Sequence, residues 1–167
     1  MKKGFTLVEM MIVVAVVALL AALAIPNLLR ARMQANETSA QASLKIIASA
    51  EICYNTANYT YGNLANLSLP EAQPPYIDGT LASGSKSGYN FYIREATDSS
   101  FCISAEPKSA NHGSQSFCIT EDGVIRALFG GGEIASHDTC VGLSLSLIHI
   151  SEPTRPLYIS YAVFCLK

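Results

Sequence analysis

The sequence has no tryptophan and few charged residues: only 14% of its 167 residues are Asp, Glu, Lys or Arg. A soluble domain usually carries about 25% charged residues. Lys and Arg do not exceed Asp and Glu, and the net charge of -2 argues against a strongly basic nucleic-acid-binding protein. Half of the residues are hydrophobic, which excludes disorder of the whole chain. The excess of apolar residues lies mainly in the first thirty positions.

Motifs for catalysis and for cofactor binding are also missing. The histidines do not form an H-x-x-H pattern and the cysteines do not form C-x-x-C, so no metal site is expected. His137 and Asp138 near Cys140 are better explained as a solvated loop than as metal ligands. The segment Gly84-Ser85-Lys86-Ser87 lacks the first half of a phosphate-binding loop. We therefore expect a protein that is not an enzyme, has no cofactor and does not bind nucleic acid by default.

The C-terminal segment, residues 145–167, reads LSLIHISEPTRPLYISYAVFCLK. Residues 145–155 resemble the translation of a transposase-type sequencing adapter, and residues 159–166 resemble the flow-cell end of the same adapter. A non-native tail should be left out of fold reasoning. We therefore expect residues 145–167 to be foreign to the protein and its natural C-terminus to be different. The alternative is a genuine pair of C-terminal strands, because the end of this segment is rich in β-forming residues.

Residues 10–29 form an uncharged apolar run. Twenty helical residues span about 30 Å, the thickness of a bilayer core. Basic residues flank the run on both sides: Lys2, Lys3, Arg30 and Arg32. Glu9 lies at the head of the run, where a carboxylate is costly unless it is paired. Either Glu9 is solvated at the membrane interface, or it meets a specific positive partner.

The apolar run continues into an amphipathic helix over residues 27–55. Its apolar residues recur at intervals of three, four and seven, which is one helical face: Leu29, Met33, Ala40, Leu44, Ile47 and Tyr54. The opposite face carries polar residues such as Arg32, Glu37, Gln41 and Lys45. We expect the apolar face to pack on a sheet; a coiled coil is the alternative, although sustained heptads are missing.

A loop-rich stretch and then short strands follow the helix. Residues 57–87 contain dense turn signals and no periodicity, and the tyrosines there are expected to pack around the end of the helix. Strands are predicted at residues 89–94, 101–105, 117–120 and 124–128. Their close succession indicates an antiparallel meander with one face on the helix, so the predicted fold class is α+β.

The N-terminal residues KKGFTLVEMMIVVAVVALLAALAIPNLLRAR resemble the type IV pilin and type II secretion pseudopilin family. The resemblance rests on a short basic leader, Gly4, Phe5, Glu9, the apolar run and Pro26. It implies cleavage by a prepilin peptidase between Gly4 and Phe5, and methylation of the new amino group of Phe5. It also implies that Glu9 neutralises the N-terminal amine of a neighbouring subunit during assembly. Pro26 is expected to kink the helix, and this region is often partly unwound in filaments of the family.

The resemblance implies a structural role. The expected protein is a type IV pilus subunit; the alternatives are a type II secretion pseudopilin and, from another class, a single-pass membrane-anchored binding protein. Expected partners are the prepilin peptidase, the inner-membrane assembly platform, further copies of the chain, and the lipid bilayer before assembly. The subunit would lie in the inner membrane first, and then in an extracellular pilus or periplasmic pseudopilus.

These expectations divide the chain into six parts. Residues 1–4 are the leader, 5–29 the membrane and filament-core half of the helix, and 30–57 its amphipathic half. Residues 58–87 form a connecting loop, 88–144 an antiparallel head, and 145–167 the non-native tail.

Removing the tail leaves four cysteines, and secretion permits disulfides. A hairpin that pairs Cys102 with Cys118 puts the apolar residues of both strands on one face and the cysteines on the other. We therefore favour a Cys102–Cys118 disulfide. Cys118–Cys140 and Cys102–Cys140 are the competitors, because many pilins close a C-terminal loop with a disulfide. Cys53 lies on the helix and is expected to be a buried free thiol.

Overall fold

A single long helix dominates the N-terminal part of the molecule. The structure is a computed structural model that describes residues 5–68 and 74–145. Helix α1 spans Leu7–Asn58, 52 residues and about 78 Å at 1.5 Å per residue. It begins at the N-cap residue Thr6 and ends at Tyr59, whose left-handed backbone lets its N–H donate to the Asn55 carbonyl. One helix therefore carries both the apolar run and the amphipathic stripe.

The stripe on α1 is buried only in its second half. Ala40, Leu44 and Ile47 are fully buried, whereas Leu29 is 54% exposed. The head begins to contact the helix near residue 36, and of the earlier stripe residues Leu29 is exposed and Met33 is half-buried. Gln41, predicted on the polar face, is buried, because the covered arc is wider than the apolar stripe. The prediction that this stripe packs on a sheet is confirmed from residue 40 onward.

The head is a six-stranded antiparallel sheet in which the strands are neighbours in chain order. Its strands are β1 Ser85–Lys86, β2 Tyr89–Ala96, β3 Phe101–Pro107, β4 Gln115–Thr120, β5 Ile125–Phe129 and β6 Ser144–Leu145. Two short helices, α2 Gly79–Ala82 and α3 His137–Val141, precede β1 and β6. The four predicted strands and the meander are confirmed. The short elements α2 and β1 lie within the predicted loop, and the rest of the predicted tail, residues 146–167, lies outside the described residues.

The two faces of the sheet have different partners. Ile103 and Ala105 on β3 pair with Ile119 and Phe117 on β4, and all four pack in the cluster that faces α1. The residues that alternate with them along the strands, including Cys102 and Cys118, point to the other face of the sheet. There they form a second, smaller cluster with Ile134 and with Cys140 of α3. Both sides of the sheet are therefore buried, one by α1 and the other by the segment from Ile134 to α3.

A tight turn joins β1 to β2. Ser87 and Gly88 have φ angles of 50° and 78°, as a two-residue type I′ hairpin turn requires. Gly88 also packs against the His112 ring, where a Cβ atom would clash at 2.4 Å. This contact holds the β1–β2 turn against the β3–β4 loop, at the end of the sheet nearest the apolar run.

Candidate assembly and membrane interface

The first half of α1 makes almost no contact with the rest of the subunit. Its large apolar residues are at least half exposed all round the helix, from Phe5 at 77% to Leu29 at 54%. Among the described residues, α1 is the one helix long and apolar enough to cross a membrane. Exposed apolar surface of this extent marks a site of membrane or protein contact. This half of α1 is the candidate interface.

A side-chain cap stabilises the start of α1. Thr6 is the N-cap, and its hydroxyl accepts a hydrogen bond from the Glu9 N–H at 3.3 Å. Thr6 and Glu9 have the T-x-x-E spacing of a capping box. Glu9 itself is exposed, so in the isolated subunit its carboxylate lies on the surface of the apolar helix. Phe5 precedes the cap, and Gly4 lies outside the described residues.

Pro26 lies inside α1, and the helix is continuous across it in the isolated subunit. Its missing N–H breaks one hydrogen bond of the helical ladder. Membrane helices tolerate such a residue. The kink at Pro26 stays a prediction.

Three side chains of α1 fasten the head to the helix just beyond the apolar half. The Asn36 amide donates to the His112 carbonyl at 3.0 Å. The Glu37 carboxylate accepts hydrogen bonds from the backbone and hydroxyl of Ser114, at 2.8 and 2.9 Å. Ser39 and Ser87 share a hydroxyl hydrogen bond of 2.9 Å. The β3–β4 loop and the β1–β2 turn therefore lie against residues 36–39, about 10–15 Å along the axis from Leu29.

The disulfide of the head joins Cys118 to Cys140, with Cα atoms 6.0 Å apart. The favoured Cys102–Cys118 pairing is therefore wrong, and the Cys118–Cys140 alternative is confirmed. The predicted face was right, but the register was not: Cys102 lies opposite Thr120, and Cys118 lies opposite Ser104. A two-residue shift keeps every side chain on its face. The alternation of apolar residues therefore could not distinguish the predicted register from the observed one.

The remaining cysteines exchange their predicted states. Cys102 is the buried free thiol, and burial raises its pKa to about 11. Its low thiolate content at neutral pH makes it a poor nucleophile. Cys53 is half-buried and disulfide-bonded, so its expected free thiol is a wrong prediction.

Glu51 is a fully buried carboxyl group on α1. One oxygen accepts the Gly62 N–H at 2.9 Å, and the other has no hydrogen-bond partner. Burial raises the pKa of Glu51 to about 7, although the Gly62 hydrogen bond opposes the shift. The Glu51 contact fastens the chain where it turns back after α1. Sequence reasoning missed this residue, because its helical position alone does not reveal the covering loop.

The tyrosines around the end of α1 pack as predicted, with one exception. Tyr54 and Tyr76 meet edge-on with ring centroids 6.0 Å apart, and Tyr61 lies 4.8 Å from Phe101. Tyr59 occupies the left-handed C-cap position and is 84% exposed. These contacts close the core at the end of the helix.

The outer face of the sheet carries two polar clusters. Arg94 binds Glu106 at 2.7 Å and Glu133 at 3.1 Å, and the Ile134 N–H donates to the same Glu106 oxygen at 3.2 Å. His137 lies 3.0 Å from Glu121, and this carboxylate is the main cause of a raised His137 pKa. Both clusters tie the segment before β6 to the strands. Within the described residues, no group of His, Cys, Asp and Glu could hold a metal ion.

A continuous helix with a bare apolar half and a small antiparallel head on its other half defines a pilin-type subunit. The comparisons agree with that class. Residues 1–25 match the family described as "Prokaryotic N-terminal methylation motif". The chain is 40% identical to the type IV wide pilus major component of Thermus thermophilus over 90 residues, which cover 52% of this chain and 69% of that protein. The chain belongs to the type IV pilin and type II secretion pseudopilin family.

Two further relatives come from the two branches of that family. The chain is 38% identical over 64 residues to the type IV major pilin protein of Myxococcus xanthus, covering 38% of this chain and 29% of the relative. It is 40% identical over 60 residues to the type II secretion system core protein G of Pseudomonas aeruginosa, covering 36% of this chain and 42% of the relative. The chain thus spans less than half of these two proteins.

Proposed function

We propose that this chain is the structural subunit of a type IV pilus. A prepilin peptidase cleaves it between Gly4 and Phe5 and methylates the Phe5 amine. The subunit then leaves the inner membrane through an assembly platform and joins a helical filament. The proposal rests mainly on the exposed apolar half of α1, because the same helix continues without a break into the folded head.

The driving force for assembly is burial of that apolar half. In the membrane, lipid covers it; in a filament, the same half of neighbouring subunits covers it. A head-to-tail contact of this kind does not close on itself, so it propagates into a fibre. The head is fastened to α1 from residue 36 onward, so it leaves residues 5–29 clear for neighbours.

Glu9 fixes the axial position at which neighbouring helices pack against each other. Its carboxylate is exposed on an otherwise uncharged helix face in the isolated subunit. Burial against a neighbour without a partner is strongly unfavourable, because an unpaired buried charge is costly. Cleavage before Phe5 creates an amine on every subunit, which is the cation that Glu9 needs. A neighbour docked out of register would bury both charges unpaired.

A pilus is favoured over a secretion pseudopilus by two observations. Over 90 aligned residues, the chain is 40% identical to a pilus component, of which it covers 69%, and 32% identical to a core protein G, of which it covers 61%. The segment after the helix, residues 58–79, also lacks the tyrosine-proline-threonine and glycine-leucine pattern associated with the major secretion pseudopilin. Secretion remains the second candidate function, since the match to the Pseudomonas aeruginosa core protein G is as high in identity.

Intact-mass spectrometry of the protein from its native host tests the processing. We expect a species that begins at methylated Phe5 and that ends in residues other than 145–167. A chain that retains Met1 in cells with an active peptidase would refute the prepilin assignment. Filaments isolated from the cell surface, rather than a secretion defect on deletion, would distinguish a pilus from a pseudopilus.

Glu9→Gln tests the assembly step separately. Gln preserves the capping-box geometry, because it can replace Glu at this position, but it removes the charge. We expect normal cleavage and membrane insertion with loss of filaments. Thr6→Ala is the matched control, since it removes the cap and keeps the charge. Filaments at wild-type level from Glu9→Gln would refute the charge pairing.

A further inference from the structure

Among the described residues, acidic groups at the far end of the head are partly paired, Asp122 with Arg126 and Glu121 with His137, whereas the basic groups at the near end form no ion pairs. Acidic residues lie in and beside the two turns at the far end, next to the end of α1: Glu95, Asp98, Glu121 and Asp122. Four basic residues lie at the other end, beside the apolar half of α1, and are called the basic collar: Arg30, Arg32, Lys86 and Lys108. About 27 Å of helix, residues 37–55, separates the two ends.

The collar residues lie along the side of α1 that the head covers, with Arg30 and Arg32 about 160° apart at its two edges. Arg32 lies one helical turn before Asn36, which holds the β3–β4 loop, and Arg30 lies two turns before Glu37, which holds the same loop. Lys108 belongs to that loop, and its N–H donates to the Gly88 carbonyl at 2.9 Å. Lys86 precedes the adjoining turn, which Ser39 contacts through Ser87.

None of the four collar residues forms a salt bridge with a carboxylate among residues 5–68 and 74–145. The nearby carboxylates are engaged elsewhere: Glu37 accepts from Ser114, and Glu106 binds Arg94. The pKa of Asp78 is lowered mainly by hydrogen bonds from Thr80 and only slightly by the charge of Lys86, with which Asp78 forms no ion pair. Among the described residues, the four cations of the collar face one unpaired carboxylate, that of Glu37, so the collar presents net positive charge.

Arg30 and Arg32 lie at the depth of lipid headgroups, and the loops that carry Lys86 and Lys108 lie just beyond it. Arg30 and Arg32 follow Leu29 by about 2–5 Å, and the loops contact α1 about 10–15 Å beyond it. A bilayer is about 30 Å thick in its hydrocarbon core and about 40–45 Å with its headgroup regions, so headgroups occupy the first 5–8 Å beyond the core. The loop cations lie about one Debye length beyond them at physiological salt.

We propose that the basic collar docks on anionic phospholipid headgroups while the subunit is in the membrane. The contact holds the head against the leaflet from which α1 emerges, with the β3–β4 loop facing the phosphates. Leaving the membrane for the filament then requires release of this contact. The inference rests on the proposed membrane-anchored state, and it adds to that state a preference for acidic lipids.

Quenching of a single introduced tryptophan tests the docking, because the sequence has none of its own. Ala110→Trp places the probe on the exposed β3–β4 loop. The full chain is inserted, one copy per nanodisc, into phosphatidylcholine with or without 30% phosphatidylglycerol. Lipids with a headgroup spin label quench the probe when the loop is docked. We expect strong quenching with phosphatidylglycerol, and its loss in high salt.

Charge removal identifies the surface responsible. Each Lys near an anionic surface contributes about 1 kcal/mol, or about fivefold in the docking equilibrium. Lys86→Gln with Lys108→Gln should therefore weaken docking about 30-fold. Lys45→Gln is the matched control, because Lys45 is an exposed cation on the same helix about 24 Å beyond Leu29. It should leave quenching unchanged.

Four results would overturn the proposal. Equal quenching in the two lipid mixtures would exclude a role for headgroup charge, and equal effects of Lys45→Gln and the double variant would exclude the collar. Lipid-independent, salt-sensitive association in detergent would instead assign the collar to the acidic end of a second copy. A chain that does not enter nanodiscs would refute membrane anchoring itself, and the collar proposal with it.

Discussion

Glu51→Gln should abolish a specific pH dependence of stability. Glu51 is fully buried, with one oxygen on the Gly62 N–H and the other without a partner. Its pKa is raised from the usual 4.5 to about 7, so the folded state holds a proton that the unfolded state has released. Stability from this group is therefore complete below pH 4.5 and is lost as the pH rises to about 7.

The magnitude follows from the shift. Each pKa unit corresponds to about 1.4 kcal/mol, so the loss between pH 4.5 and 7 is about 3 kcal/mol. Other titrating groups act in different windows. His137, with its raised pKa, loses stabilisation only above about pH 6.5, and Asp122, with its lowered pKa, loses it only as the pH falls below about 3.8. The interval from 4.5 to 6.5 isolates Glu51.

Urea unfolding of the full chain in detergent micelles, from pH 4.5 to 8, measures the effect. The wild-type free energy of unfolding should fall by about 1.4 kcal/mol per pH unit within the window, and that of Glu51→Gln should stay level. The variant should be less stable at pH 4.5, because its amide N–H groups are left without acceptors. Glu133→Gln, at an exposed site, should retain the wild-type slope. An unchanged slope in Glu51→Gln would refute this account of the buried carboxyl group.

Other expected outcomes concern the packing of the head. Replacing Cys118 and Cys140 by Ala opens a loop with a sequence separation of 22 residues and should cost about 3 kcal/mol by chain entropy, visible as a lower Tm; the same loss from Cys102→Ala alone would contradict the assigned pairing. Leu44→Ala should destabilise the head by about 2–5 kcal/mol in urea unfolding, because Leu44 is fully buried between α1 and the sheet. Arg94→Lys should cost about 1–3 kcal/mol, since a single ammonium cannot bind Glu106, Glu133 and Ser104 together. Faster amide hydrogen exchange at Ile134 should accompany that loss, and protection at the wild-type level would show that the ion cluster does not hold this segment.

Features that depend only on residues close together in the sequence could be predicted without a structure. An uncharged apolar run of about twenty residues is long enough to span a bilayer as a helix, whatever surrounds it. Strand periodicity likewise predicted four strands and the face on which Cys102 and Cys118 lie. The prepilin motif is contiguous, so its resemblance could be read without a fold.

Contacts between residues that are far apart in the sequence could be seen only in the folded structure. Cys118 pairs with Cys140 because β4 is shifted by two residues along β3 relative to the predicted register, which places Cys118 opposite Ser104 and not opposite Cys102. Helix α3, which carries Cys140, packs on that face of the sheet. The sequence around Glu51 does not distinguish it from an exposed helix residue. In the structure the chain turns back after α1 and covers it at Gly62. The basic collar arises because two loops reach the same helix face as Arg32. Hydrophobic alternation fixes which face a residue occupies, but only packing fixes which residue it meets there.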